Sequence, residues 1–261
     1  MNDDLNRGRD GLDQHWQDTY LQRPHQEVSW FQQHPTTSVR LIERYAPDRR
    51  CPVLDVGAGA SRLADDLIDA DYRDITLLDI SAAALDAVAQ RLRDRPSRNQ
   101  QARVDYHAVD LLRWEPDRTY DIWHDRAVFH FLTTSSVRSA YATLVERALN
   151  PGGALILATF APDGPQQCSG LPTERYTAQQ LAGLFPSLLV THHEREEHRT
   201  PSGTIQPFTW VVLRKPPTRS PAGTERAGQS ERNASFVGPA KQLAQPGQPG
   251  AHARGPSRQR R

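Results

Sequence analysis

The chain is poor in cysteine, in long apolar runs and in net charge. Its 261 residues include two cysteines, Cys51 and Cys168, and neither sits in a metal-type spacing. A disulfide scaffold or zinc cluster is therefore not expected. No apolar run approaches the length needed to cross a bilayer. Residues Met1 to Asp10 are polar with mixed charge, unlike a signal or transit peptide, so a cytoplasmic location is expected. Hydrophobic residues make up only 37%, and the shortfall lies mostly in the C-terminal tail. One domain of about 200 residues plus extensions is the natural reading. The formal charge of +1 hides an asymmetry. Residues 216–261 carry eight Lys/Arg and two Glu, a net +6, which leaves −5 on residues 1–215. The tail also holds seven prolines and few apolar residues. It cannot bury enough surface to offset the entropy of folding, so 216–261 is predicted to be disordered. Such a basic tail either touches RNA or an acidic partner or is a dispensable extension; nucleic acid is not the expected main partner.

What the chain does have is a strand, a glycine turn and a helix in succession. Pro52-Val53-Leu54-Asp55-Val56-Gly57-Ala58-Gly59-Ala60-Ser61 begins apolar and ends in a turn. Leu63, Leu67 and Ile68 then follow a helical period. Gly57 and Gly59 allow turn conformations and the close approach of a ligand. The helix start behind them points unpaired N–H groups at that ligand. Asp55 stands where a dinucleotide fingerprint would open with glycine, and its carboxylate would repel a pyrophosphate. Asp79 closes the next apolar run, Ile75 to Leu78, and Asp110 closes Val104 to Val109. In an open parallel sheet such strand ends share one rim, where ligands bind, and an acid there can accept both hydroxyls of a ribose.

With these residues in order, the chain resembles the class I S-adenosylmethionine-dependent methyltransferases. Asp55-Val56-Gly57-Ala58-Gly59 matches their first motif. Asp79 matches the ribose-binding acid, and Asp110-Leu111 the pair that meets the adenine. Pro151-Gly152-Gly153 before an apolar strand is another landmark. The resemblance spans about residues 11–214. Ser61 departs from it, standing where many relatives have glycine, and only a slight adjustment of the turn is expected. The resemblance implies an α/β, Rossmann-like, doubly wound fold. Its seven-stranded sheet would be mostly parallel and closed by an antiparallel C-terminal hairpin. It implies S-adenosyl-L-methionine as cofactor. Asp55 would face its methionine moiety, Ile80 a face of its adenine, and Asp110 the exocyclic amine.

Residues 1–46 are expected to form a helical cap, 47–215 the methyltransferase domain. Trp16, Tyr20 and Trp30 either sit at the mouth of the site or pack against the sheet edge. Helices are predicted at about 82–94 behind an N-cap Ser81, at 135–149, and at 178–185. Strands are predicted at about 52–56, 74–79, 103–109, 120–124, 154–160, 188–198 and 205–213. The last two flank the short turn 200–204, so they should be antiparallel. The polar, basic stretch 91–103 reads as a loop.

The segment Tyr120-Asp121-Ile122-Trp123-His124-Asp125-Arg126, followed by Ala127-Val128-Phe129-His130-Phe131-Leu132, resembles a small bacterial-type subgroup of the class. There His124, Asp125 and His130 are candidates for catalysis, and Asp125 and Arg126 for contact with cofactor or substrate. The alternatives are that Asp125 pairs with Arg126 to brace the strand end, and that His130 is a core histidine. The cluster His192, His193, Glu194, Glu196, Glu197, His198 reads as a charged edge strand rather than a metal site. No Asn-Pro-Pro-Tyr follows the fourth strand, which argues against methylation of DNA-base amines or glutamine. The acceptor is left open between a small molecule and a protein lysine, because a fold does not name a substrate. Two other readings compete. A nicotinamide-dependent oxidoreductase is disfavoured by Asp55 and the closing hairpin. A non-catalytic binding protein of the same fold is disfavoured by the intact acids and glycines.

Overall fold

A computed structural model of the chain describes residues 11–95 and 102–217. Nearly all of the predicted disordered tail lies outside the described residues, as does part of the 91–103 stretch. Helices α1 (Leu12–Gln22) and α2 (Thr36–Tyr45) precede β1 (Val53–Val56). Next come α3 (Leu63–Asp69), β2 (Asp74–Asp79), α4 (Ala82–Arg93), β3 (Arg103–Ala108) and β4 (Tyr120–Arg126). They are followed by α5 (Ser135–Ala148) and β5 (Leu149–Phe160). A small hairpin, β6 (Gln167–Cys168) and β7 (Leu171–Pro172), leads to α6 (Ala178–Gly183), β8 (Leu189–Arg199) and β9 (Ile205–Arg214).

Seven strands form one sheet in the order β3-β2-β1-β4-β5-β9-β8. The first five are mutually parallel, and β9 runs antiparallel to both β5 and β8. This is the Rossmann-like sheet with its antiparallel closing pair. The chain winds outward from β1 to β3, then restarts at β4 beside β1. That reversal opens a crevice at the carboxyl ends of β1 and β4.

Strand pleating sends alternate side chains to opposite faces, and each face meets its own helices. Val53, Ile75, Ile122 and Ile156 pack with Leu41 and Ile42 of α2, Leu67 of α3 and Val88 of α4. Leu54, Trp123, Leu155 and Val211 pack on the other face with Tyr141 and Val145 of α5 and Leu181 of α6. Leu41 and Ile42 are fully buried, which stabilises the fold by roughly 1.5–3 kcal/mol for each side chain. Leu41→Ala would therefore loosen α2 from the sheet. Local signals agree with these elements. Ser81 caps α4 by accepting from Ala84 N–H, and Thr177 and Gln180 form a capping box on α6.

Two boundaries differ from expectation. β4 runs on through Arg126, so His124, Asp125 and Arg126 are strand residues with pleated alternation. β5 begins at Leu149 rather than at Ala154, because Leu149 already pairs with Tyr120 before a register shift through the glycine pair. Arg91 lies in α4, inside the predicted helix 82–94, and it grips Asp65 with Nε and Nη2 at 3.0 and 2.8 Å. On the edge strand β8, charged side chains meet near neighbours. His192 lies 3.2 Å from Glu194, Arg195 donates to Asp163 and Glu197, and His198 Nε2 donates to the Ser29 carbonyl at 2.7 Å. No helix among the described residues is long and apolar enough to cross a membrane.

Candidate active site

The β1–α3 turn is shaped by two left-handed glycines, Gly57 at φ 65° and Gly59 at φ 51°. Both positions are also crowded. A Cβ on Gly57 would lie 1.9 Å from Val128 Cγ2, and one on Gly59 would lie 2.2 Å from the Tyr20 hydroxyl. The Gly57 and Ala58 N–H groups donate to the Leu78 carbonyl at 2.7 and 3.1 Å, tying the turn to β2. The Ser61 hydroxyl accepts from the N–H of Leu63, the first residue of α3, at 3.1 Å. Arg91 also donates to the Ser61 carbonyl at 2.5 Å and holds the turn from behind.

Asp79 ends β2 with 6% of its surface exposed. Gly59 N–H donates to its Oδ2 and Ser81 N–H to its Oδ1, each at 2.8 Å. Burial raises its pKa to about 6, against the opposing pull of those two donors. Asp55 is equally enclosed. Its Oδ1 lies 2.7 Å from His124 Nδ1, and His124 Nε2 lies 3.0 Å from Ser38 Oγ. A carboxylate accepts, so this geometry places the ring proton on Nδ1 and makes Ser38 the donor to Nε2. Asp110 accepts from Leu112 N–H at 2.9 Å and caps a short 3₁₀ turn, Leu111–Arg113.

These strand ends border a cavity of ≈ 220 Å³. Gly57, Asp79, Ile80, Asp110 and Leu111 line it, as do Val128, Arg126, Trp16, Tyr20 and Trp30. The aromatics interlock edge to face: Trp16 meets Trp30 at 5.7 Å and Phe131 at 5.3 Å, and Tyr20 meets Trp30 at 6.2 Å. A second cavity of ≈ 60 Å³ shares Gly57, Tyr20, Trp30 and Arg126 and adds Asp55, Ala58, Ser38 and His124. S-adenosylmethionine fits this donor set. The Asp79 oxygens have lone pairs beyond the backbone N–H groups they accept from.

Residues 54–155 match the family model described as a methyltransferase domain. The chain carries a methyltransferase domain. No curated protein matches its sequence. Solved structures share the fold. A methyltransferase dependent on S-adenosylmethionine from Anabaena variabilis is 18% identical, with TM-score 0.60 over 79% of this chain and 94% of its own. The N-methyltransferase NodS from Bradyrhizobium japonicum, in complex with S-adenosylhomocysteine, is 13% identical, with TM-score 0.57 over 77% and 99%. The Burkholderia thailandensis 1,6-didemethyltoxoflavin-N1-methyltransferase, holding its substrate and S-adenosylhomocysteine, is 18% identical, with TM-score 0.55 over 82% and 86%.

In this methyltransferase, two expected catalytic residues lie behind the cavity wall instead of in it. Asp125 is fully buried. Its Oδ2 accepts from the Tyr141 hydroxyl at 2.7 Å, and its Oδ1 accepts from Val128 and Phe129 N–H at 3.0 and 3.3 Å. Burial raises its pKa to about 6. Nor does it pair with Arg126, because adjacent strand residues point to opposite faces. His130 is fully buried between the Phe131 and Phe160 rings, at 4.5 and 4.6 Å. Burial, helped by the Arg126 charge, lowers its pKa to about 3. His124 stands on the face of Asp55 and Arg126 and lines the smaller cavity. Gly59 lines neither cavity and reaches the site through its N–H on Asp79.

Several partners had no sequence signal. Ser38 opens α2 like any polar first-turn residue, yet it completes the Asp55–His124 chain. Gln17 Oε1 accepts from Ser81 Oγ and Ala83 N–H at 3.0 and 3.2 Å, which pins α1 onto α4. Tyr141 reads as a core aromatic and is also the partner of Asp125.

Proposed function

We propose that the larger cavity holds S-adenosylmethionine and that the methyl acceptor is a small molecule. The observation that supports this reading is the aromatic roof: Trp16, Tyr20 and Trp30 cover the carboxyl ends of β1 and β4. In this reading residues 11–46 are a cap, and a cavity roofed by aromatic rings suits a small acceptor better than the side chain of a folded protein. Asp79 accepts from the ribose hydroxyls. Ile80 and Leu111 flank the adenine, and Asp110 accepts from its exocyclic amine. Asp55, oriented by His124, faces the methionine moiety together with the Gly57-Ala58-Gly59 backbone.

Bound there, the cofactor supplies a methyl group already activated by its sulfonium. The chain's own contribution is then positional. The capping aromatics exclude water, and the strand ends fix the acceptor in line with the methyl, where orientation alone is worth several orders of magnitude in rate. Asp125 acts at one remove, by holding the Val128–Phe129 turn that walls the cavity. The test is transfer of label from methyl-labelled cofactor into a cell extract, followed by fractionation. Label in the small-molecule fraction is the expected outcome. Label confined to protein or RNA would overturn the small-molecule reading.

A further inference from the structure

Arg126 is an enclosed cation with unused donors. It closes β4 and borders both cavities. Its Nη1–H donates to the Trp30 carbonyl at 3.1 Å, and its Cζ lies 4.6 Å from the centre of the Phe208 ring. Its Nε and Nη2 are buried and have no hydrogen-bond partner. Among the described residues it enters no ion pair. Glu196 is near enough to favour its charge, but the Glu196 oxygens already accept from Trp210 Nε1 at 2.8 Å and Gln32 Nε2 at 2.9 Å.

Leaving a charged donor buried and unpaired is costly, so such a group marks the place of an absent partner. The two free nitrogens are also the informative pair. Nε–H and Nη2–H lie on one edge of the guanidinium, parallel and suitably spaced for two oxygens of a carboxylate or phosphate. The nearby walls are flat and apolar: Trp16, Trp30 and Phe131 line the same cavity as Arg126. The acids Asp79 and Asp110, in contrast, suit hydroxyl and amine donors.

We infer that the methyl acceptor is a small, flat, apolar molecule bearing a carboxylate or phosphate, docked on the Nε–Nη2 edge of Arg126. This rests on the reading that the same cavity holds the cofactor. The anion fixes one end of the acceptor, the aromatic walls hold its body, and its nucleophilic atom is left to face the methyl.

The test uses the full chain saturated with S-adenosylhomocysteine and titrated with benzoate, phenyl phosphate and benzamide, followed by ligand-observed NMR. A charged hydrogen-bonded pair should favour the anions over benzamide by on the order of tenfold to a hundredfold. The stronger of benzoate and phenyl phosphate identifies the carboxylate or the phosphate as the preferred group. Arg126→Gln should abolish the preference and leave S-adenosylhomocysteine affinity unchanged. If Arg126→Gln does not fold, Arg126→Lys keeps the charge, loses the fork, and should reduce the preference. Equal binding of benzoate and benzamide by the wild type would overturn the inference. So would an Arg126 variant that loses S-adenosylhomocysteine but keeps its preference for benzoate, since the guanidinium would then serve the cofactor's own carboxylate. Should the wild type fail to bind S-adenosylhomocysteine, the cofactor reading falls, and the benzoate–benzamide comparison on the free protein still decides the role of Arg126.

Discussion

Asp55 and His124 are register partners on the adjacent strands β1 and β4, and their side chains meet at 2.7 Å between Oδ1 and Nδ1. The motif acid is therefore already oriented before any ligand arrives. His124→Phe would leave a carboxylate with 4% exposure short of its charged hydrogen bond. The expected cost is roughly 1.5–3 kcal/mol. Urea denaturation should show a lowered midpoint with an unchanged slope, and an unchanged midpoint would mean that Asp55 finds another partner.

Gly59→Ala should be destabilising twice over. A left-handed backbone costs a residue with a Cβ roughly 1–2 kcal/mol, and that Cβ would sit 2.2 Å from the Tyr20 hydroxyl. Removing the hydroxyl with Tyr20→Phe should relieve only the second part. The double variant is expected to unfold at a higher urea concentration than Gly59→Ala alone. Purely additive losses would mean that Tyr20 shifts aside without cost.

Tyr141→Phe removes the donor to Asp125 Oδ2 in a fully buried setting. An unsatisfied buried acceptor costs roughly 1–3 kcal/mol, so the melting temperature should fall. Transfer per folded molecule should change little, because Tyr141 is on the far side of the sheet from the Asp55–His124 pair. A large loss of turnover at unchanged stability would return Asp125 to the chemistry.

These three variants also mark how far the sequence could be read. Asp55, Asp79 and Asp110 each close an apolar run, and strand ends of a parallel sheet share a rim, so their convergence was legible. So was the antiparallel pair, from the short turn 200–204. The orientation of Asp125 was harder. Alternation along β4 already separates it from His124 and Arg126, but which face meets the crevice depends on where the Val128–Phe129 turn folds back. His130 was ambiguous for a related reason: a histidine between two phenylalanines reads alike as ligand contact or as core. Ser38 and Gln17 act across 86 and 64 residues of chain. No local pattern encodes such contacts.

The pH dependence of cofactor affinity separates two buried acids. Asp79 and Asp125 are both raised from 3.8 to about 6. Each therefore holds extra protons in the native state, and folding stability should fall as pH rises from about 4 to about 6. Affinity runs the other way for Asp79, because ribose hydroxyls donate to its ionised form. S-adenosylhomocysteine binding should be flat above about pH 6 and weaken below it, by at most about tenfold per pH unit. Asp79→Asn should flatten the profile. A profile that persists in Asp79→Asn would assign the titration to another group.

Calorimetric titration of the wild type and Asp79→Ala with S-adenosylhomocysteine tests the cofactor site most directly. The carboxylate is buried at the end of β2, with both oxygens turned to the glycine turn and the α4 start. Loss of a charged acceptor for two hydroxyls should weaken binding on the order of tenfold to a hundredfold. Circular dichroism on the same preparation should show the variant folded. Wild-type affinity in folded Asp79→Ala would contradict the account and remove Asp79 from the cofactor site.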